Sequence, residues 1–292
     1  MAEKQWEGTT YGNSLMHQWL IRLLQVIDVR AIYLFAYVFV VPPCLFRSSF
    51  RPIYRYFRRR WGFGPFKSFV KTWQNHCMFS QVVIDRFAMY GGKNFHVDID
   101  GGEYFQHLAS CPGAFVQLSS HIGNYEMAGY TLVSTQKPIN ALVYSGEKQT
   151  VMENRAHMFA DKNVRMIPVK EDMSHLFLID HALQHGEIVS IPADRLFGSL
   201  KSVSVPLLDA PVSLPVGPFT VAIMRGLPVL AVNVMKQSST QYVIYVKPLD
   251  YDKQAPRKTQ IEQLARGYAT ELERMLHLYP TQWYNYFDYW TS

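Results

Sequence analysis

Cysteine is scarce in this 292-residue chain. Cys44, Cys77 and Cys111 are scattered, odd in number and form no C-x-x-C pair. That argues against a disulfide framework or a thiolate zinc site, and it fits a reducing compartment. Charged residues make up only 18% against 48% hydrophobic, a balance that argues against disorder and allows a sizeable core. A long, uninterrupted apolar run is also missing. "AIYLFAYVFVVPPCLF", Ala31 to Phe46, has no charge inside it. As a helix it would reach only about 24 Å, short of the roughly 30 Å hydrocarbon core of a bilayer, and Pro42 and Pro43 would shorten it further. The first eleven residues are polar and no small-residue cleavage pattern follows, so a secretory signal is not expected.

Acidic residues are absent from one stretch in particular. Arg47, Arg51, Arg55, Arg58, Arg59, Arg60 and Lys67 follow the apolar run with no Asp or Glu among them, and they carry much of the net charge of +6. A basic run interleaved with Tyr and Phe suits nucleic acid, an anionic membrane or an acidic carrier protein. Its place beside the apolar run favours the membrane or the carrier, and nucleic acid is not the expected partner. Upstream, Leu15, Trp19, Leu20, Leu23, Leu24 and Ile27 recur at helical spacing. The two apolar pieces together suggest a tilted span, a re-entrant segment or an interfacial anchor, with the arginines at the headgroups on the cytoplasmic side. A buried helix of a soluble protein is the plainer alternative. The expected division is residues 1–60 as a membrane-anchoring helical segment with a basic flank, and 61–292 as a catalytic domain.

Beyond the anchor, patterns of period 3.6 and period 2 alternate. A long amphipathic helix is expected over 66–90 and a strand over 95–99. From 114 to 194, strands such as "AFVQL", "INALVYS", "VRMIPV" and "EIVSIPAD" alternate with helices. Two further strands flank the turn "QSST", and a helix over 258–278 follows. The expected class is therefore α/β: a mixed, partly parallel central sheet flanked by helices, preceded by the hydrophobic anchoring segment. Ligands in open α/β sheets bind beyond the carboxyl ends of strands, where His121 follows one strand and Asp194 and Arg195 follow another.

"VQLSSHIGNYEMAGY" places His121 and Glu126 five residues apart at a strand-loop-helix corner. Residues i and i+5 of a helix point about 140° apart, so the two can meet only if His121 precedes the helix. A histidine oriented by a carboxylate is a general base, and Glu126 is the expected partner. No G-x-S-x-G elbow and no adjacent cysteine supply a nucleophile, which favours direct attack by a substrate hydroxyl or amine. With no H-E-x-x-H and no second histidine nearby, a metal is not expected, and base-assisted attack of this kind requires no organic cofactor. Attack on an ester or thioester creates an oxyanion that needs donors. Candidates are the backbone N–H groups at the start of the 123–132 helix, where Asn124 lies, and the guanidinium groups of Arg155, Arg165 and Arg195.

Three blocks in order, "SSHIGNYE", "ALQHGEIVSIPADRLFGS" with the following "VPLLDAPVSLPVGPFTVAIMRGLPVLAV", and "YPTQWYNYFDYW", resemble the lipid A biosynthesis acyltransferase family. These are the lauroyl and myristoyl acyltransferases within the wider lysophospholipid acyltransferase superfamily. The resemblance implies a glycerolipid acyltransferase-like fold, His121 as base, Glu126 as its partner and Asp194 in the active centre. It also implies an acyl-carrier protein or acyl-CoA donor, and an acceptor in the inner leaflet of a bacterial inner membrane. The family's arginine between the first two blocks corresponds to either Arg155 or Arg165. The usual closing W-x-H-R-R is replaced here by "WYNYFDYW". A thioesterase or lipid hydrolase using the same pair on water is the enzymatic alternative, and a non-catalytic lipid-binding protein of the membrane surface the other.

Overall fold

The computed structural model describes residues 13–46, 49–144, 146–147, 149–170, 172–196 and 201–290. Arg47 of the basic run and the polar residues 1–12 lie outside the described residues. Among the described residues four short helices come first: α1 (Ser14–Val26), α2 (Val29–Phe35), α3 (Val41–Leu45) and α4 (Phe50–Arg59). A π-helical turn over Ala36–Val40 joins α2 to α3, where Pro42 and Pro43 lack the N–H that a regular ladder needs. The expected long helix is α5 (Pro65–Tyr90), opened by a proline in its first turn.

Among the described residues the sheet has seven strands: β1 (His96–Asp100), β2 (Phe115–Ser119), β3 (Ile139–Tyr144), β4 (Val164–Val169), β5 (Ile188–Pro192), β8 (Val229–Lys236) and β9 (Gln241–Leu249). Their order is β1-β9-β8-β2-β5-β3-β4. All neighbours are parallel except β8 and β9, which pair antiparallel around the predicted turn. The class is α/β with a mostly parallel central sheet, as the alternating pattern requires.

Helices α6 (Gly102–Ser110), α7 (Tyr125–Thr131), α8 (Gln149–Phe159), α9 (His175–Gln184), α10 (Val216–Ile223) and α11 (Arg257–Leu278) complete the fold. Successive strand residues face opposite ways, and the core divides accordingly. Val116, Leu118, Val189, Ile191, Ala231 and Met235 belong to one cluster with the buried side of α11; Phe115, Ile188, Leu230, Val232 and Val234 belong to the other with α6 and α7. Both β2 and β8 are buried along their whole length, which explains why they read as mostly apolar.

A two-stranded hairpin, β6 (Ser202–Leu207) and β7 (Ala210–Pro215), packs on α11 and was not legible as strands. Its turn residues Leu208 and Asp209 both have positive φ, 50° and 58°. That is the primed turn hairpins favour, here built without glycine.

The N-terminal helices bury one side and expose the other. Leu24, Val29, Tyr33 and Ala36 cluster with Ile84, Phe87 and Ala88 of α5. Leu15, Trp19, Val26, Leu34, Val38 and Phe39 are exposed. Beneath them, the hydroxyls of Tyr33 and Tyr242 and the ammonium of Lys236 all converge on the buried carboxylate of Asp85. This ties α2 to the sheet. Among the described residues no single helix is long and apolar enough to cross a membrane.

Candidate active site

Strand register brings the site together. β2 and β5 are adjacent and parallel, with Ser119 opposite Pro192, and the N–H of Ala193 donates to the carbonyl of Ser119 at 2.9 Å. Two residues further along each chain are His121 and Asp194. Asp194 is fully buried and grips the histidine twice. Its Oδ1 lies 2.7 Å from His121 Nδ1, and its Oδ2 accepts the backbone N–H of His121 at 3.0 Å. Burial pushes the Asp194 carboxyl up, but His121 and Arg195 outweigh it and hold it below the usual value. An ionised Asp194 requires the proton on Nδ1, which leaves the lone pair on Nε2. The ring is 23% exposed, so it is reachable. Burial, then the charge of Arg195, lowers the imidazole's pKa against the pull of Asp194, favouring the neutral base.

Glu126 is not the partner of His121. It lies one residue inside α7, and its carboxylate is turned into the layer that holds Met127 and Tyr130. There Arg155 binds it bidentately, Nε to Oε1 at 3.1 Å and Nη2 to Oε2 at 3.0 Å. Arg86 Nε lies 2.8 Å from Oε2, and the hydroxyls of Tyr90 and Tyr130 each donate to Oε1 at 2.7 Å. Burial opposes ionisation of Glu126, yet the two guanidinium groups hold its pKa well below the usual value of 4.5. The same five-residue spacing that flags the pair separates their side chains, because Asp194 captures the histidine before the helix begins. The Tyr125 ring packs edge-on against His121, with centroids 5.4 Å apart.

The two candidate arginines lie in different places. Arg155 is buried on Glu126, whereas Arg165 is on the outer strand β4, exposed and paired with Glu187 at 3.0 Å. Arg195 directs Nε to Asn285 Oδ1 and Nη2 to the Tyr284 carbonyl, each at 3.0 Å. Asn124 is buried, and its N–H is spent on the Val234 carbonyl at 2.8 Å. The N–H of Gly123 is likewise bound, to the Gln282 carbonyl at 2.8 Å. These two backbone donors, expected to face an oxyanion, are occupied. Gly123 has φ +53°, and a Cβ there would lie 1.9 Å from the Val234 oxygen, so the corner requires glycine. Among the described residues no group of three or more His, Cys, Asp and Glu is arranged to hold a metal ion.

Sequence reasoning missed Arg86, Tyr90 and Tyr130, which come from other parts of the chain and carry no local signal. It noticed the aromatic closing segment without giving it a location. The segment runs across the corner: Ile122 and Trp283 form an antiparallel bridge, and the Tyr284 N–H donates to the His121 carbonyl at 3.3 Å.

Comparison with known proteins gives the family. The family model described as bacterial lipid A biosynthesis acyltransferase matches residues 84–290, a span that contains the whole corner and its closing segment. The protein is thus an acyltransferase. It belongs to the bacterial lipid A biosynthesis acyltransferase family, whose members act on an acyl donor and a lipid acceptor. Among solved structures, the 1-acyl-sn-glycerophosphate (LPA) acyltransferase PlsC from Thermotoga maritima aligns over 92% of this chain and 99% of its own, at 15% identity and a TM-score of 0.39. No curated protein matches the sequence.

Proposed function

We propose that the protein moves a long acyl chain from acyl-carrier protein or acyl-CoA to a hydroxyl or amine of a lipid A-like, glycolipid or aminolipid acceptor. The work is done at the cytoplasmic face of a bacterial inner membrane. The observation that carries this reading is the His121 ring fixed through Nδ1 by a buried carboxylate at a strand end. In the proposed step Nε2 takes the proton of the acceptor as its oxygen or nitrogen attacks the thioester carbonyl. The tetrahedral intermediate then collapses, the carbon–sulfur bond breaks, and the imidazolium returns the proton to the departing thiolate. We assign stabilisation of the oxyanion to Arg195, which follows Asp194 at the end of β5. No organic cofactor is needed for this chemistry.

The test is transfer of labelled lauroyl groups from acyl-carrier protein or CoA into vesicles of bacterial polar lipid containing a lipid A precursor. His121→Ala is expected to lower the rate by about 10²–10⁴-fold, the usual share of a general base. Unchanged transfer would overturn the role of His121. Free fatty acid released at the same rate without any acceptor would instead indicate hydrolysis by the same residues.

Attachment to the membrane is proposed through the exposed apolar side of α1 to α3, with Arg51, Arg55, Arg58 and Arg59 of α4, and Arg60 just after it, at the headgroups. Near an anionic surface each such charge contributes about 1 kcal/mol. Trp19 and Phe39 are 69% and 63% exposed, so replacing both with glutamate should leave the fold intact. Such a protein should no longer float with anionic vesicles, and undiminished flotation would refute the anchor. Deleting 1–46 is a poorer test, because it also removes Tyr33 from the buried Asp85 carboxylate.

A further inference from the structure

The His121–Asp194 contact joins two loops that leave neighbouring strands, and the β2–β5 register fixes only where those loops begin. Their far ends meet residues 282–290. The Tyr284 N–H donates to the carbonyl of His121 at 3.3 Å, and the Tyr289 hydroxyl donates to the carbonyl of Asp194 at 2.6 Å. Arg195, next in sequence, is held by Asn285 and the Tyr284 carbonyl. The closing segment thus bonds to the main chain of both residues and to the side chain of the next one.

The segment is itself anchored at several points. Gln282 makes two hydrogen bonds to the main chain of Lys236, at 2.9 and 2.7 Å, and Asn75 Nδ2 donates to the carbonyls of Thr281 and Trp283 at 3.0 and 2.7 Å. At its far end the Trp290 indole donates to the Leu207 carbonyl at 3.1 Å. The Trp283 ring is nearly fully buried and packs edge-on against Tyr56 of α4 and against Tyr289. A segment pinned at both ends with its contacts in the middle acts as a brace.

We propose that residues 282–290 form a strap that sets the His121–Asp194 geometry, with Tyr289 and Asn285 as positioning residues of the acyl-transfer reaction. The proposal rests on the reading of His121 as the base. Catalysis by an oriented pair is sensitive to small displacements, and a shift of about 1 Å far from the chemistry can cost 10²-fold in rate. Mere packing would not require the bonds to fall on these two carbonyls.

The experiment uses the full-length chain and the lauroyl transfer assay above, with kcat, KM and the pH profile measured for each variant. Tyr289→Phe keeps the ring and removes one hydrogen bond. It is expected to lower kcat by about 10-fold with KM within about twofold, and to move the acid limb to lower pH as the hold of Asp194 on the ring loosens. Asn285→Ala should lower kcat in the same way, and Asn285→Asp, which keeps an acceptor for Arg195, should restore it. Wild-type kcat and an unmoved limb in both Tyr289→Phe and Asn285→Ala would overturn the strap. If Tyr289→Phe fails to fold, the Asn285 pair decides alone, and failure of Asn285→Asp to restore what Asn285→Ala loses would overturn the proposal. His121→Ala separates the two levels: an active His121→Ala refutes the base itself, whereas an inactive one beside wild-type strap variants refutes the strap only.

Discussion

Replacing Asp194 with asparagine is expected to lower kcat by roughly 10³–10⁴-fold while leaving KM close to the wild-type value; loss of the orienting carboxylate in a comparable Ser-His-Asp site costs about 10⁴. The reason lies in the two hydrogen bonds that Asp194 makes to His121. A carboxylate on Nδ1 demands the proton there and so keeps Nε2 as an acceptor. An asparagine amide offers either a donor or an acceptor to the same nitrogen. If it donates, the proton moves to Nε2 and the base is lost. The second bond, from the His121 N–H, is one that the amide oxygen can still accept, so the loop should persist. Folding stability measured alongside should therefore change far less than activity. A variant that retains wild-type kcat would show that Asp194 does not orient the base.

Glu126→Ala is expected to behave in the opposite sense, as a stability variant. The carboxylate lies between two buried guanidinium groups and accepts from two tyrosines. Removing it leaves Arg86 and Arg155 without a counter-ion, and breaking a buried pair from one side costs about 3–5 kcal/mol. For a chain of this size that corresponds to a fall in Tm of roughly 10 °C, which calorimetry would register.

The pH dependence supplies a second reading. Glu126 has its folded pKa depressed, so its contribution is complete above the unfolded value of 4.5 and is lost as pH falls below it toward the folded value. The wild type should lose stability in that acid range, and Glu126→Ala should lose less of it. A variant that melts like the wild type yet transfers no acyl groups would mean that Glu126 takes part in the chemistry.

Much of this arrangement was legible in the sequence because its determinants are local. The strand "AFVQL" feeding a Ser- and Gly-rich turn located the corner, and "EIVSIPAD" located Asp194 at a parallel strand end. What the sequence could not show was which carboxylate meets the histidine. Glu126 is close along the chain, but its carboxylate is taken by Arg86 and Arg155. Asp194 is 73 residues away and arrives through the β2–β5 register.

The hairpin β6–β7 was hidden for a different reason. Pro206, Pro211 and Pro215 lie within its strands, where proline normally argues against pairing, and its turn is Leu-Asp rather than Asn-Gly. The aromatic tail has no periodicity at all. Its order comes from hydrogen bonds to Lys236, Asn75 and Leu207, three distant parts of the chain.

The most direct test of the central claim is the pH dependence of kcat/KM for lauroyl transfer by the wild-type protein. A neutral His121 acting as base predicts activity that rises with pH through one ionisation and then levels off, with a midpoint below the ordinary histidine value of 6.5 because burial and Arg195 depress it. A profile without that ionisation, or with its midpoint above 6.5, would contradict the account.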